Sequence, residues 1–224
     1  MALTDEAILK IKEMILTGDL RPGDRLPPEK ELSESLGLSR SSLREAVKAL
    51  EIIRVLDVRR GDGTYVTSLR PEVLLGALSF VADVQQDASV LELLAVRRIL
   101  EPEAAALATA RASADDAVRL RAMLDEVGPT TPVDDLVSHD LVFHRSLCEL
   151  SGNDYLTSLL DSLGGSTLRA RVWRALMQDG AVERTLTEHR AIVDAVESRD
   201  VELVRALVTV HVSGVAQWLE RALR

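Results

Sequence analysis

The chain has 224 residues, 46% hydrophobic and 28% charged, with two each of Trp, Tyr and Phe, a globular composition with room for one large domain or two modest ones. Its longest uncharged run, 14 residues from 206 to 219, falls short of the roughly 20 apolar residues of a membrane span, and a lone cysteine, Cys148, excludes an internal disulfide and any CxxC redox or zinc-ribbon site. Net charge is −9, yet residues 1–70 balance 12 basic against 12 acidic side chains while the remaining 154 carry 15 and 24, so only a local segment suits a polyanion.

The opening, MALTDEAILKIKEMI, mixes acids and lysines from its fifth position. It lacks a basic-then-apolar leader, and the expected location is the cytoplasm. Ala7, Ile8, Ile11, Met14 and Ile15 recur at three- and four-residue spacing and predict a helix over 4–16. Gly18 and Pro22-Gly23 end it. A short helix follows over 29–36, with Pro28 at its first turn, acids near its positive end, and Gly37 as its stop. Ser39 reads as the N-cap of a third helix over 40–52, whose apolar stripe is Leu43, Ala46, Val47 and Leu50. Its opposite face carries Arg40, Ser41, Arg44 and Lys48, where a recognition helix meets base edges. Two β-branched runs, 54–58 and 64–68, flank Arg59-Arg60-Gly61-Asp62-Gly63 and predict a hairpin with a basic tip. Six basic against three acidic residues within 38–60 fit a nucleic-acid partner for this segment. Helix, turn, helix and basic wing, in this order, form the pattern of a winged helix-turn-helix.

The stretch GDLRPGDRLPPEKELSESLGLSRSSLREAVKALE followed by RRGDGTYV resembles the DNA-binding domain of the GntR family of bacterial transcriptional regulators through residues 18–66. The resemblance implies operator contacts for Arg40 and Arg44, with Ser39, Ser41 and Ser42 as hydroxyl donors to phosphate, and minor-groove contacts for Arg60 and Gly61. Lys30 stands where the family usually has arginine, which replaces a planar fork by a point donor. Ile53 stands where it commonly has glycine.

From about residue 71 the pattern turns to long helices with few breakers, predicted over 71–83, 89–110, 114–127, 133–151, 154–178, 182–198 and 200–223. The fold expected is therefore mainly α: a winged domain over 1–70 and an all-helical domain of six or seven helices over 71–224. All four histidines fall in the second. Asp140 and His144 are four apart on one helix and can share an ion. His189 and His211, on two further helices, would complete a set of three imidazoles and one carboxylate suited to zinc, nickel or manganese. Spacing alone does not unite such distant helices. Phe80, Phe143, Trp173 and Trp218 sit among aliphatics as core or dimer contacts, Asn153 reads as a cap, and Cys148 as buried and inert.

LLAVRRILEPEAAALATARAS, DLVFHRSLCELSGN and EHRAIVDAVESRDVELVRALVTVH together resemble the FCD ligand-binding domain of the FadR subfamily of GntR regulators. The resemblance implies a metal site at Asp140, His144, His189 and His211, leaves His139 spare, and places Arg97 rather than Arg98 at the effector pocket. Arg171 is a further candidate for effector contact. The function expected is a homodimeric repressor on double-stranded operator DNA, controlled by a small carboxylate such as a sugar acid, hydroxyacid or dicarboxylate bound at a zinc site. The alternatives are a regulator that senses the metal itself and a metalloenzyme built on the same four residues.

Overall fold

The structure, a computed structural model, describes residues 3–71, 88–128 and 130–224. The helix expected over 71–83, and Phe80 in it, lie outside the described residues but for Pro71. The chain divides between residues 74 and 75 into two compact units.

In the first unit, helices α1 (Leu3–Thr17), α2 (Glu29–Leu36) and α3 (Arg40–Ile52) precede strands β1 (Leu56–Arg59) and β2 (Gly63–Val66). Ala7 and Ile11 of α1 bury against Leu32 of α2, Leu43, Ala46 and Leu50 of α3, and Leu56 and Val66 of the strands. The apolar stripes read from the sequence are thus the faces that form this core. Gly37 closes α2 at φ 65°, a left-handed cap that an L side chain resists. Ser39 then caps α3 by accepting from the Ser42 amide at 3.1 Å. The strands pair antiparallel with Leu56 opposite Val66 and Arg59 opposite Gly63, a shorter wing than the 54–58 and 64–68 expected. Arg54 takes the left-handed conformation (φ 60°) in the turn between α3 and β1, while Ile53 stays right-handed. Position 53 itself is right-handed, so this turn does not require glycine there.

The second unit contains α4 (Ala88–Arg111), α5 (Ala114–Asp125), α6 (Val133–Glu149), α7 (Asp154–Ser166), α8 (Leu168–Met177), α9 (Ala181–Glu197) and α10 (Val201–Ala222). Its core joins Ala105 and Ala108 of α4, Leu120 and Leu124 of α5, Phe143 and Leu147 of α6, Ile192 and Val193 of α9, and Val204, Val208 and Val212 of α10. The starts follow side-chain caps: Ser113 and Asp116 make a reciprocal capping box, and Asn153 and Asp200 cap α7 and α10. Asn153 is thus a cap, as read.

One correction concerns the single helix expected over 154–178. It is two helices, broken at Thr167 (φ −94°, ψ 3°). Gly164 and Gly165 weaken the helix just before the break, and the Thr167 hydroxyl bonds back to the carbonyls of Leu163 and Gly164 at 3.3 and 3.1 Å. The break turns α8 so that Arg171 reaches the middle of the helical unit.

Candidate metal centre and nucleic-acid interface

Asp140 and His144 lie one turn apart on α6, His189 on α9 and His211 on α10. Packing of Phe143 between these helices sets their spacing: its ring is fully buried and stacks on His189, centroids 4.3 Å apart. All four side chains are buried, and one ligand atom from each falls within 4.8 Å of the others. Nε2 of His211 lies 3.2 Å from Nε2 of His144 and 3.3 Å from Nε2 of His189. Oδ1 of Asp140 lies 3.3 Å from Nε2 of His189 and 3.7 Å from Nε2 of His144. Donors that share one ion at about 2.1 Å stand about 3.0–3.4 Å from each other, so this set fits a divalent metal. His139 stays apart, its Nε2 2.7 Å from the Met123 carbonyl oxygen.

Behind the four donors stand two carboxylates that reading by motif missed. Glu188 Oε2 is 2.8 Å from Nδ1 of His211, and Glu101 Oε2 is 3.2 Å from Nδ1 of His144. The Glu188 carboxylate keeps the His211 proton on Nδ1 and frees Nε2 as a lone-pair donor, while Glu101 stands beside His144 as a charge. Arg171 donates Nη1 to Oδ2 of Asp140 and Nη2 to the Gly164 carbonyl, the latter at 2.6 Å. Arg97 donates Nε to Glu101 and Nη1 to the Thr167 hydroxyl, the latter at 2.7 Å. Arg97 and Arg171 therefore border the centre, and Arg98 faces solvent. Arg174, three residues after Arg171 and so on the same helical face, is also buried, at 3% exposure. That spacing was the signal available for it. Glu188 carried none, since its sequence neighbour His189 points elsewhere.

Electrostatics follow from burial. Burial pushes the Asp140 carboxyl up, but the Arg171 guanidinium and the imidazoles outweigh it and hold the group ionised well below the usual carboxylate range. Glu101 is likewise lowered against its burial by Arg97 and His144. Burial, then His211, holds His189 well below an ordinary histidine, and burial lowers His211 although Glu188 opposes it. The His189 and His211 imidazoles are thus neutral and ready to bind metal at neutral pH. Burial raises the Cys148 thiol, which is inert as expected. A small cavity of about 40 Å³ opens beside Asp140 and His211, with Arg171, Arg174, Thr185 and Val215 in its wall.

On the first unit Lys30, Arg40, Ser41, Arg44, Arg60 and Gly61 are exposed, as is Ser39 beside them. Ser42 is the exception: it is buried, its hydroxyl 2.8 Å from that of Ser39, inside the cap of α3. Its hydroxyl is thus engaged within the cap, whereas Ser39 and Ser41 are exposed. Arg44 Nε donates to Glu29 Oε2 at 2.8 Å. The wing is braced by Arg25, which donates to the Asp62 carbonyl, by Tyr65 on Asp62 at 3.0 Å, and by Arg59 over the Tyr65 ring at 4.1 Å. Among the described residues no helix is long and apolar enough to cross a membrane.

Comparison with known proteins agrees with both halves. Residues 3–66 match the family described as bacterial regulatory proteins, gntR family, and residues 92–214 match the FCD domain. The chain is 30% identical over 208 residues to the HTH-type transcriptional regulator LutR of Bacillus subtilis (strain 168), spanning 90% of this chain and 94% of that protein. It is 28% identical over 203 residues to the galactonate operon transcriptional repressor of Escherichia coli (strain K12), spanning 88% of each. The solved structure of Streptococcus agalactiae GntR aligns with a TM-score of 0.73 at 26% identity, over 96% of this chain and 99% of that one. These families and relatives are transcriptional regulators and not enzymes, which removes the metalloenzyme alternative.

Proposed function

The chain belongs to the GntR family of bacterial regulatory proteins, carries an FCD domain and is a DNA-binding transcriptional regulator, and on that premise we propose that it is a repressor whose hold on its operator is released by a small organic acid at a metal centre. The observation that carries the proposal is the convergence of Asp140 Oδ1 with Nε2 of His144, His189 and His211 inside a ring of buried arginines. Zinc, bound by these four, supplies a Lewis-acidic cation with positions left for a carboxylate or hydroxyl. The chain's own groups do the rest. Glu188 holds the His211 proton on Nδ1, Arg171 fixes Asp140, and the arginines offset the negative charge of an acid.

In the first unit Arg40 and Arg44 meet base edges and phosphates, Ser39 and Ser41 flank them, Lys30 offers a point charge to the backbone, and Arg60 with Gly61 enters the neighbouring minor groove. One winged unit reads a short half-site, so two copies of the chain on a pseudo-palindromic operator give the affinity a regulator needs. The acid acts only through different affinities for the DNA-bound and free shapes of that dimer. The name of the galactonate operon relative fits a sugar acid or hydroxyacid as the signal here.

The test is operator binding by zinc-loaded protein, followed by fluorescence anisotropy, with and without a panel of aldonates, hydroxyacids and dicarboxylates. Release by one of them supports the proposal. Zinc-dependent binding that no acid changes identifies the ion itself as the signal, and tighter binding with acid contradicts the repressor assignment.

A further inference from the structure

Three buried arginines border the metal centre, and they are not equivalent. Arg97 is matched by Glu101 and Arg171 by Asp140, each in direct ion-pair contact. Arg174 is 3% exposed, yet no carboxylate among the described residues reaches it as an ion pair. The one hydrogen bond of its guanidinium among the described contacts runs from Nε to the neutral amide oxygen of Gln178, at 2.9 Å. Burial lowers its pKa, and Glu188 and Asp140 oppose that only at range. A buried guanidinium without a counter-ion is costly, and side chains of this kind persist where something else supplies the anion.

The position of the guanidinium says where that anion would lie. A Cβ placed on Gly214 of α10 would be 3.5 Å from Arg174 Nη2, so the head group sits beside α10 one turn after His211. Arg174 shares the small cavity with Asp140, its ion-pair partner Arg171, His211 and Thr185, and the remaining wall is aliphatic, including Val137, Val182 and Val215. The cavity therefore offers a metal-facing polar edge, an apolar middle and one unmatched cation.

We propose that Arg174 receives the carboxylate of the effector, and that the effector is a two-headed acid whose other head, a hydroxyl or second carboxylate, faces the metal centre. This rests on the metal-and-acid reading above and deepens it. Arg97 and Arg171, the arginines expected at the effector, then act as positioning residues: Arg171 holds Asp140, and Arg97 holds the Glu101 carboxylate that stands behind His144.

Full-length zinc-loaded protein is first screened by thermal unfolding against short aldonates (galactonate included), hydroxyacids and dicarboxylates, and each acid that binds is titrated calorimetrically into Arg174→Met and Arg174→Lys. The expected Kd rises about 30-fold or more in the Met variant and about tenfold in the Lys variant, which keeps the charge but loses the fork. Zinc affinity is retained in both. The acid-free Met variant unfolds at the same temperature as the wild type or higher, because an unmatched buried charge has been replaced by an apolar chain of similar length. Unchanged acid affinity in the variants overturns the assignment, as does a drop in thermal stability with no selective loss of acid binding. If zinc binds and no acid of the panel stabilises the wild type, the metal-and-acid reading itself fails, and the assignment of Arg174 falls with it.

Discussion

Glu188 precedes His189 in the sequence but supports His211: its Oε2 lies 2.8 Å from Nδ1 of that imidazole, on another helix. Consecutive residues on a helix diverge by about 100°, so α9 sends the His189 ring into the centre and the Glu188 carboxylate around it to α10. The contact fixes the His211 tautomer and raises its basicity toward metal. Glu188→Ala should therefore weaken zinc binding about 10–100-fold, read by competition with a chromophoric chelator, while free Nε2 geometry on His144 and His189 is kept. Equal zinc affinity in wild type and variant would show that Glu188 has no part in the centre.

The metal-free protein should lose stability as pH falls from neutrality toward 5. His189 and His211 are bases whose folded-state pKa values lie below their unfolded ones, burial being the first cause in each. The unfolded chain takes up protons near pH about 6.5 that the folded chain refuses, so stability is fully present above that value and declines below it. Asp140 works in a lower window: its folded pKa is depressed, so its contribution is present above about 3.9 and is lost further into acid. Melting curves in chelator across pH 5–8 test this, and His189→Gln should flatten the slope around pH 6. A flat wild-type profile would contradict buried neutral imidazoles.

The DNA-facing half was legible because its signals are local. Caps at Ser39 and Gly37, the stripe of α3 and the two glycines of the wing each specify their own segment, and the core of Ile11, Leu32, Leu43 and Leu56 uses those same stripes. The metal centre was legible only through family resemblance, because Asp140 and His211 are joined by packing across helices that spacing does not encode. Two further features escaped for the same reason. The break at Thr167 follows from a hydroxyl turned back on Leu163 and Gly164 while it receives Arg97, and nothing in a periodicity scan separates such a threonine from one on a continuous helix. Burial of Ser42 is the converse case: the hydroxyl that a motif assigns to DNA is spent on Ser39.

On the recognition face, Arg44 is exposed and held by Glu29 through Nε, which leaves both Nη groups free for a guanine edge or a phosphate. Arg44→Ala should cost operator binding about 1–3 kcal/mol at fixed salt, measured by anisotropy on a duplex carrying the operator. Ser42→Ala should leave the salt slope of binding unchanged, since its hydroxyl lies in the cap. If Ser42→Ala reduces that slope while Arg44→Ala does nothing, the orientation assigned to α3 is wrong.

Thr167 is the single hydroxyl on which two buried arginines meet: Arg97 Nη1 at 2.7 Å and Arg171 Nη2 at 3.2 Å. Arg171 keeps the Gly164 carbonyl as a second acceptor, but Arg97 has only Glu101 besides Thr167 among the described contacts. Thr167→Val is nearly isosteric and leaves a buried charged donor without its partner, a loss of about 1–3 kcal/mol. The same change frees Arg171 from one of its anchors, and Asp140 depends on Arg171 for its orientation. Zinc affinity should therefore fall along with thermal stability, the fall in affinity being smaller than for removal of Asp140 itself. Calorimetric unfolding and chelator competition on the same preparation read the two effects separately. A stability loss with zinc affinity intact would confine Thr167 to the helix break, whereas loss of both places it in the chain of contacts that runs from α4 through α8 to the ligand on α6.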